Sequence, residues 1–327
     1  MKKTDNKIDF VITWVDGNDP VWRADKAKYS DAGADSGASR YRDWDQLKYW
    51  FRAIEKNAPW VNKIHFVTYG HLPEWLDTSN PKLNIVNHKD FIPEEYLPVF
   101  NSTAIEAHLH RIKGLSEQFV YFNDDMYLMK PCRETDFFVK GLPVDEAYFV
   151  PAIPHQQVLY CYHLYNDYSI YYDYFSVKTT AKNIFKYVNF KFGFYNLIQI
   201  LARNRYIRPM HHAKAFLKSS FETLWRDRES AMIRTSKARF RGRLENSPQA
   251  IRGYQIITGK FYPKNLTRKA KVVDSRLVDE VKRAVESGKY KYFCLSDNTP
   301  AEDFDEAKAA INASFEKVYP DKCSFEK

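Results

Sequence analysis

The 327-residue chain has no apolar run approaching the roughly 18 residues that a membrane-spanning helix needs. Its longest uncharged stretch in the aromatic middle, Phe192 to Ala202, falls well short. It has only four cysteines, Cys132, Cys161, Cys294 and Cys323, and no Cys-x-x-Cys pair, which excludes a disulfide framework and a zinc knot as organising devices. No internal repeat and no linker-like stretch divides it. The apolar run Ile8 to Val15 that follows Met1-Lys2-Lys3 is interrupted by Asp9, closed by Asp16 and lacks a small-residue cleavage site. A cytoplasmic protein is therefore expected.

What is present is a 44% hydrophobic chain with ample material for a core and a net charge of +9. The charge is uneven. Lys178 to Arg243 holds 16 Lys/Arg against 3 Asp/Glu, so this segment alone is strongly cationic and the remainder slightly anionic. Something anionic is expected to meet the middle.

Ile8 to Val15 reads as a first buried strand, stopped by the turn signal Asp16-Gly17-Asn18-Asp19-Pro20. Ser30 to Ser39 is small and polar, a loop over the sheet edge. A helix is expected from Trp44 to Asn57, with Leu47, Trp50, Phe51 and Ile54 at helical spacing and Pro59 beyond its end. Strands follow at Lys63 to Tyr69 and Leu83 to Asn87. This alternation predicts an α/β fold with a mostly parallel sheet and covering helices. Three blocks are expected: an α/β core over 1–150, a basic, aromatic and helical insertion over 151–250, and a C-terminal strand and helix over 251–327 that complete the core.

The focus of the pattern is Gln118 to Leu128. Phe119 to Phe122 is apolar and β-favouring, then breaks into Asn123, Asp124 and Asp125 where the strand ends. Ligands of open α/β sheets sit beyond the carboxyl ends of strands, and adjacent carboxylates there repel unless a divalent cation or a proton is shared. The same residues also suit a solvated turn. Just upstream, Asn101 to Arg111 reads as a helix that sets Glu106 and His110 on one face as acid-base or ligand groups. Thr103 and Glu106 equally have the spacing of a capping box. Tyr160 to Phe175 carries seven tyrosines, and Phe185 to Pro209 mixes aromatics with Lys and Arg. Such stretches suit an anionic membrane surface, a sugar chain or nucleic-acid bases, and also a plain tyrosine-rich core with basic edges. His211-His212-Ala213-Lys214 follows Pro209, and Arg239, Arg241 and Arg243 flank Phe240 as a phosphate-suited cluster. Tyr292 to Leu295 is a strand ending in Ser296-Asp297-Asn298, and Ala301 to Tyr319 a helix.

Four ordered blocks resemble the Stealth family of bacterial sugar-phosphate transferases, related to the animal lysosomal-enzyme N-acetylglucosamine-1-phosphotransferase alpha/beta subunit. They are Asp9 to Gly17; Arg42 through Ile54 to Trp60, Phe66 to Gly70, Ile105 to Arg111 and Asn123 to Asp125; His211 to Trp225 with Arg241 downstream; and Phe293 to Asn298. The third block has Ala213 where proline is expected, so preferring His211 to His212 is an alignment choice, and Ser296 replaces the usual asparagine.

The resemblance implies a nucleotide-sugar-binding sheet of glycosyltransferase-A-like or Rossmann-like type. It implies transfer of a sugar-1-phosphate from a UDP-sugar to a glycan hydroxyl with release of UMP, in capsule or exopolysaccharide synthesis. Asp124, Asp125, Asp297 and Asn298 would hold Mg²⁺, with Mn²⁺ the alternative, and Asp16, Gly17 and Arg42 would seat the nucleotide. Glu106 and His211 compete as general base, Asp125 belongs to the catalytic set, and Arg241 would stabilise the transferred phosphoryl. The acceptor would be an oligo- or polysaccharide, free or lipid-linked. The basic middle would face a phosphodiester-linked polymer or the inner face of the cytoplasmic membrane, and nucleic acid is not an expected partner. A conventional metal-dependent glycosyltransferase releasing UDP is the alternative, and a surface-binding protein without catalysis a more remote one.

Overall fold

The computed structural model describes residues 7–30, 41–151, 159–188 and 194–327. The expected loop from Ser30 to Ser39 lies, apart from Ser30, outside the described residues. Unbroken β-favouring runs make β1 (Ile8–Thr13), β2 (Ile64–Thr68), β3 (Leu83–Asn87) and β4 (Gln118–Asn123), which pair in parallel in the order β4-β1-β2-β3. Parallel neighbours need long crossovers, and α1 (Pro20–Tyr29) and α2 (Leu47–Asn57) lie in the one between β1 and β2. The sequence pattern did not announce α1. It buries only Trp22, and what starts it is local: Asp19 Oδ1 accepts the Trp22 N–H at 2.7 Å and Pro20 opens the first turn.

Alternation along β1 sends Phe10 and Ile12 to one face and Val11 to the other; along β4 it divides Val120 and Phe122 from Phe119 and Tyr121. Both faces are covered, so these strands read as continuous apolar runs. Later helices are α3 (Ser102–Glu106), α4 (Leu159–Tyr172), α5 (Val177–Tyr187), α6 (Tyr195–Leu201), α7 (Lys218–Asp227), α8 (Glu229–Ser236), α9 (Pro248–Ile257), α10 (Val278–Glu286) and α11 (Phe304–Val318). Trp50 and Ile54 of α2 with Ile311 and Phe315 of α11 pack in the core on the first face, and Phe221 of α7 with Ile256 of α9 in that on the second.

Beyond β5 (Met126–Leu128), short pairs knit the middle together: β6 (Phe138–Val139) with β7 (Leu142–Asp145), and β8 (Phe149–Val150) with β9 (Tyr206–Ile207). Among its described residues, the segment 151–250 holds helices and also returns a strand to the sheet. This strand, β10 (Lys214–Leu217), runs antiparallel to β4 with Lys214 opposite Tyr121. Four residues in a basic, aromatic context are too few to show a strand period. At the C-terminal end, β11 (Tyr262–Pro263) joins β7, and β12 (Ala270–Asp274) pairs with β13 (Tyr292–Ser296). β13 does not enter the main sheet. It lies antiparallel to β5 instead.

The single helix expected over Asn101–Arg111 is broken into α3 and a 3₁₀ turn at Leu109–Arg111. Asn101, not Thr103, caps it: its Oδ1 accepts the Thr103 N–H at 3.2 Å and the Thr103 hydroxyl at 2.8 Å, so the expected capping box does not form. The break also removes the shared face of Glu106 and His110. His110 stacks on Phe221 with ring centroids 5.8 Å apart, while Glu106 turns towards Tyr121.

At the amino-terminal end of the sheet, the buried Asp9 ties three segments. It accepts from Asn62 Nδ2 at 2.6 Å and Ser116 N at 2.7 Å, and lies 3.2 Å from His65 Nε2. Burial works against the charge, but these hydrogen bonds prevail and hold its pKa below the ordinary value. A depressed carboxylate contributes stability that is present above its unfolded pKa, about 3.9, and lost as pH falls through the folded value. Asp9→Ala should cost about 3 kcal/mol in urea unfolding at pH 7, because partners stay buried and unsatisfied. Part of that cost should disappear as the pH falls from about 3.9 through the lower folded pKa, where the wild-type carboxylate is itself protonated.

Candidate active site

Parallel register sets Thr13 beside Asn123, so the loops leaving β1 and β4 emerge side by side at the carboxyl edge of the sheet. The first carries Asp16 and Gly17, the second Asp124 and Asp125. A third element closes in from β13: the Leu295 N–H donates to the Asp125 carbonyl at 3.0 Å, and the buried Cys294 thiol reaches Asp125 Oδ2 at 3.4 Å. His211, in the loop before β10, brings Nε2 to the same oxygen at 3.2 Å. The donor atoms of Asp125, His211 and Cys294 lie within 4.8 Å of one another.

His211 is held there by its neighbours. Gln249 donates to the Met210 carbonyl at 2.8 Å, and Arg252 to the Arg208 carbonyl at 2.9 Å. Arg252 is in turn fixed by a buried ion pair with Asp145 at 2.8 Å. His212 differs completely. It is buried, its Nδ1–H donates to the Ala213 carbonyl at 2.6 Å, and its ring stacks on Tyr292 at 5.2 Å. Burial pushes its pKa down to about 3, so it is a neutral core ring. The structure therefore places His211, and not His212, at Asp125.

The cleft is crowded with carboxylates. Asp124 is exposed at the carboxyl edge of the sheet. Lost hydration, then the charges of Asp125 and Asp43, push its pKa up to about 8. Asp43 is itself raised, first by burial and then by Asp45 and Asp16, against the opposing pull of Lys308 and a backbone hydrogen bond. Asp125 Oδ1 is buried with no hydrogen-bond partner among the described residues. Repelling carboxylates with an orphaned oxygen fit a hard divalent cation, and Asp125 with Asp124 is the pair that would hold it. Cys294 is a soft donor that Mg²⁺ does not ordinarily use.

The other expected site residues are placed as follows. Gly17 is required by a close approach, since a Cβ there would lie 1.9 Å from the Tyr41 carbonyl oxygen. Its bareness lets the segment carrying Arg42 and Asp43 cross the β1 loop. Arg42 is committed to Asp297, at 2.7 and 3.2 Å, and to the Thr299 carbonyl at 2.7 Å, with its guanidinium over Phe304. Asp297 thus faces Arg42, outside the Asp125 group, and the Asn298 amide donates to Asp274 at 3.1 Å and Ser296 at 3.2 Å. The Asp16 N–H donates to His71 Nε2 at 2.8 Å. Glu106 accepts the Tyr121 hydroxyl at 2.7 Å, and that hydroxyl lies 2.9 Å from Thr13 Oγ1. Arg241 donates to Ser102 Oγ at 2.7 Å, one helical turn from Glu106.

Two residues here carry more than their sequence context suggested. Lys214 is buried, and its pKa is lowered by that burial while Glu106 and Asp125 counteract it through space. Its signal was a lysine set inside Ala-Lys-Ala-Phe-Leu, an apolar strand with no reason to bury a charge. Cys294 gave no signal beyond its place next to the Asp297 loop.

The two adjacent histidines can be told apart by stability. His212→Ala should lower unfolding free energy by about 2–3 kcal/mol through the cavity left against Tyr292. His211→Ala, at an exposed side chain, should stay within about 0.5 kcal/mol of wild type. Thermal and urea unfolding of the two variants check this.

Two family models match the chain, Stealth protein conserved region 1 over residues 6–34 and conserved region 2 over residues 40–144. It is 40% identical to a capsular polysaccharide phosphotransferase WcwK of Streptococcus pneumoniae, over 98% of this chain and 99% of that one. It is 37% identical to the receptor polysaccharide phosphotransferase WefC of Streptococcus oralis, over 98% and 99%, and 36% identical to the exopolysaccharide phosphotransferase cps2G of Lactiplantibacillus plantarum, over 98% and 96%. Among solved structures, the galactosyltransferase LgtC aligns over 92% of this chain and 95% of its own at 10% identity and a TM-score of 0.37. The glycosyltransferase GlyE of S. pneumoniae aligns over 98% and 64% at 10% identity and a TM-score of 0.40, and at such scores neither carries an argument. On the sequence matches, which run nearly end to end, the chain belongs to the Stealth family.

Proposed function

We propose that the protein transfers a sugar-1-phosphate from a UDP-sugar to a hydroxyl of a capsular or exopolysaccharide acceptor, making a phosphodiester and releasing UMP. The observation that carries this reading is the exposed His211 set against Asp125 among crowded carboxylates. The phosphotransferase names of near full-length relatives support it. With Nε2–H donated to Asp125, the Nδ1 lone pair is the face of His211 left to take a proton. The acceptor oxygen bonds to the phosphorus that carries the sugar, the bridging oxygen leaves with UMP, and His211 takes the acceptor proton. Asp125 orients the ring and stabilises the imidazolium that forms.

Glu106 is a weaker candidate for the base, because it is buried and already accepts the Tyr121 hydroxyl. Its charge, with that of Asp125, opposes the lowering of the Lys214 pKa by burial. As an ammonium, the Lys214 side chain would favour the charge that builds on the transferred phosphoryl group, and Arg241, bonded to Ser102 of α3, would add to it. Mg²⁺ or Mn²⁺ on Asp124 and Asp125 would neutralise the donor diphosphate. The loop of Asp16 and Gly17, braced by Arg42, would seat the nucleotide.

Incubated with Mg²⁺, a panel of UDP-sugars and a capsule-type oligosaccharide, the protein should release UMP only when acceptor is present. Release of UDP would make it a conventional glycosyltransferase and reject attack at phosphorus. Asp125→Ala and His211→Ala should each lower turnover by about 10³-fold or more, and Lys214→Met by about 10²-fold, with folding retained. Chelation with EDTA should abolish UMP release and added Mg²⁺ restore it; retained activity in EDTA would remove the metal from the scheme.

A further inference from the structure

Helices α5 and α6 are built inside out. In a water-facing helix the apolar stripe turns inward and polar residues turn outward. Here the polar Asn183 of α5 and Asn196 and Gln199 of α6 are buried, beside the core ring of Tyr187. The outward side chains include Val177 at 83% exposure and Phe185 at 87% on α5, and Phe194 at 78%, Ile198 at 60% and Leu201 at 74% on or beside α6. Spacings of four residues or fewer per step along α6 keep Phe194, Ile198 and Leu201 on one side.

The inversion is fixed by hydrogen bonds. Asn196 Oδ1 accepts the Phe149 N–H at 3.0 Å, and its amide donates to the Ala147 carbonyl at 2.6 Å and the Tyr187 carbonyl at 2.8 Å. The last of these ties the start of α6 to the end of α5. Turning α6 over to hide Ile198 and Leu201 would break all three bonds and leave buried backbone groups unsatisfied.

Charge identifies the partner. Lys178 and Lys182 are exposed on α5 and Arg203 just beyond α6, and from Asp173 to Glu222 the chain has no acidic residue between. A phosphodiester-linked glycan would be served by the cations and by stacking on an aromatic ring, but gains nothing from the exposed aliphatic Val177, Ile198 and Leu201. A bilayer with anionic headgroups uses both, taking apolar side chains at the acyl boundary and lysines at the phosphates. We infer that the outer faces of α5 and α6 are a docking surface for an anionic lipid bilayer. The inference is independent of the chemistry proposed for His211.

The test is sedimentation of the full-length protein with large vesicles of phosphatidylglycerol and phosphatidylcholine, compared with phosphatidylcholine alone. The wild type should partition onto the anionic vesicles, less strongly as salt is raised. Phe194→Ser with Leu201→Ser, and separately Lys178→Glu with Lys182→Glu, should each weaken partition about tenfold or more. Thermal midpoints should hold, since all four side chains are exposed. No binding to anionic vesicles, or binding that neither variant alters, would overturn the inference. So would a wild-type dimer that the serine variant makes monomeric while vesicle binding is unchanged, which would assign the face to a second copy of the chain.

Discussion

The parallel pairing of β1 with β4 is the constraint on which the site depends. Once Ile8 lies against Gln118 and Thr13 against Asn123, the two acidic loops must leave the sheet together. Their carboxylates then share one cleft with Asp43, where Asp125 and Asp43 raise the pKa of Asp124, and Asp45 and Asp16 that of Asp43. In water such a group would simply be hydrated. Where several share one cleft the repulsion persists as a raised affinity for a proton or a divalent ion. The opposite end of the same strands shows the contrasting solution, where Asp9 is buried but satisfied by three hydrogen-bonding neighbours and so stays anionic. One sheet thus carries a carboxylate that holds the fold at one end and carboxylates left to act at the other.

The strands were legible because both faces of the sheet are buried. A strand covered on both sides has no polar alternation to dilute its signal, and Ile64–Thr68, buried throughout, falls within the expected Lys63 to Tyr69. The Asn-Asp-Asp break was legible for the same reason, since it ends such a run abruptly. Several features were not, each for a physical cause. Whether Asn101 or Thr103 caps α3 depends on which side chain the tertiary contacts leave free, and Asn101 also donates to the Ala238 carbonyl at 3.0 Å, far along the chain. His211 and His212 are neighbours whose roles separate only because an edge strand sends one ring into the core and leaves the other in the cleft. Arg42 and Asp297 meet across more than 250 residues, and no local pattern encodes that pair.

That pair also changes how the C-terminal block contributes. Asp297 meets Arg42 and not the Asp125 group, so what this block gives the cleft directly is Cys294 and the backbone of Leu295. Arg42, stacked over Phe304 and chelated by Asp297 and Thr299, is a brace between the β1 loop and α11. Bidentate pairing of this kind fixes direction as well as distance. It keeps Asp43 at the cleft, next to the loop that Gly17 leaves open. The acidic crowding that defines the site is therefore maintained by an arginine that does not itself point into it.

The basic middle of the chain serves two ends. Its outer part, α5 and α6, presents apolar and cationic side chains, while ten residues after Leu201 it delivers His211, and then Lys214 on β10. What separates these parts is a rigid joint. β9 pairs with β8, the Arg208 N–H donates to the Tyr148 carbonyl at 2.8 Å, and Arg252 clamps Arg208 from the Asp145 pair. A buried ion pair is rarely retained for stability alone, since a well-packed apolar pair does as well. Here it sets the backbone three residues before His211. The Asp145–Arg252 pair accordingly acts on position: without it the His211 ring would lose its fixed approach to Asp125, and under the proposed mechanism a proton acceptor misplaced by about 1 Å loses much of its rate.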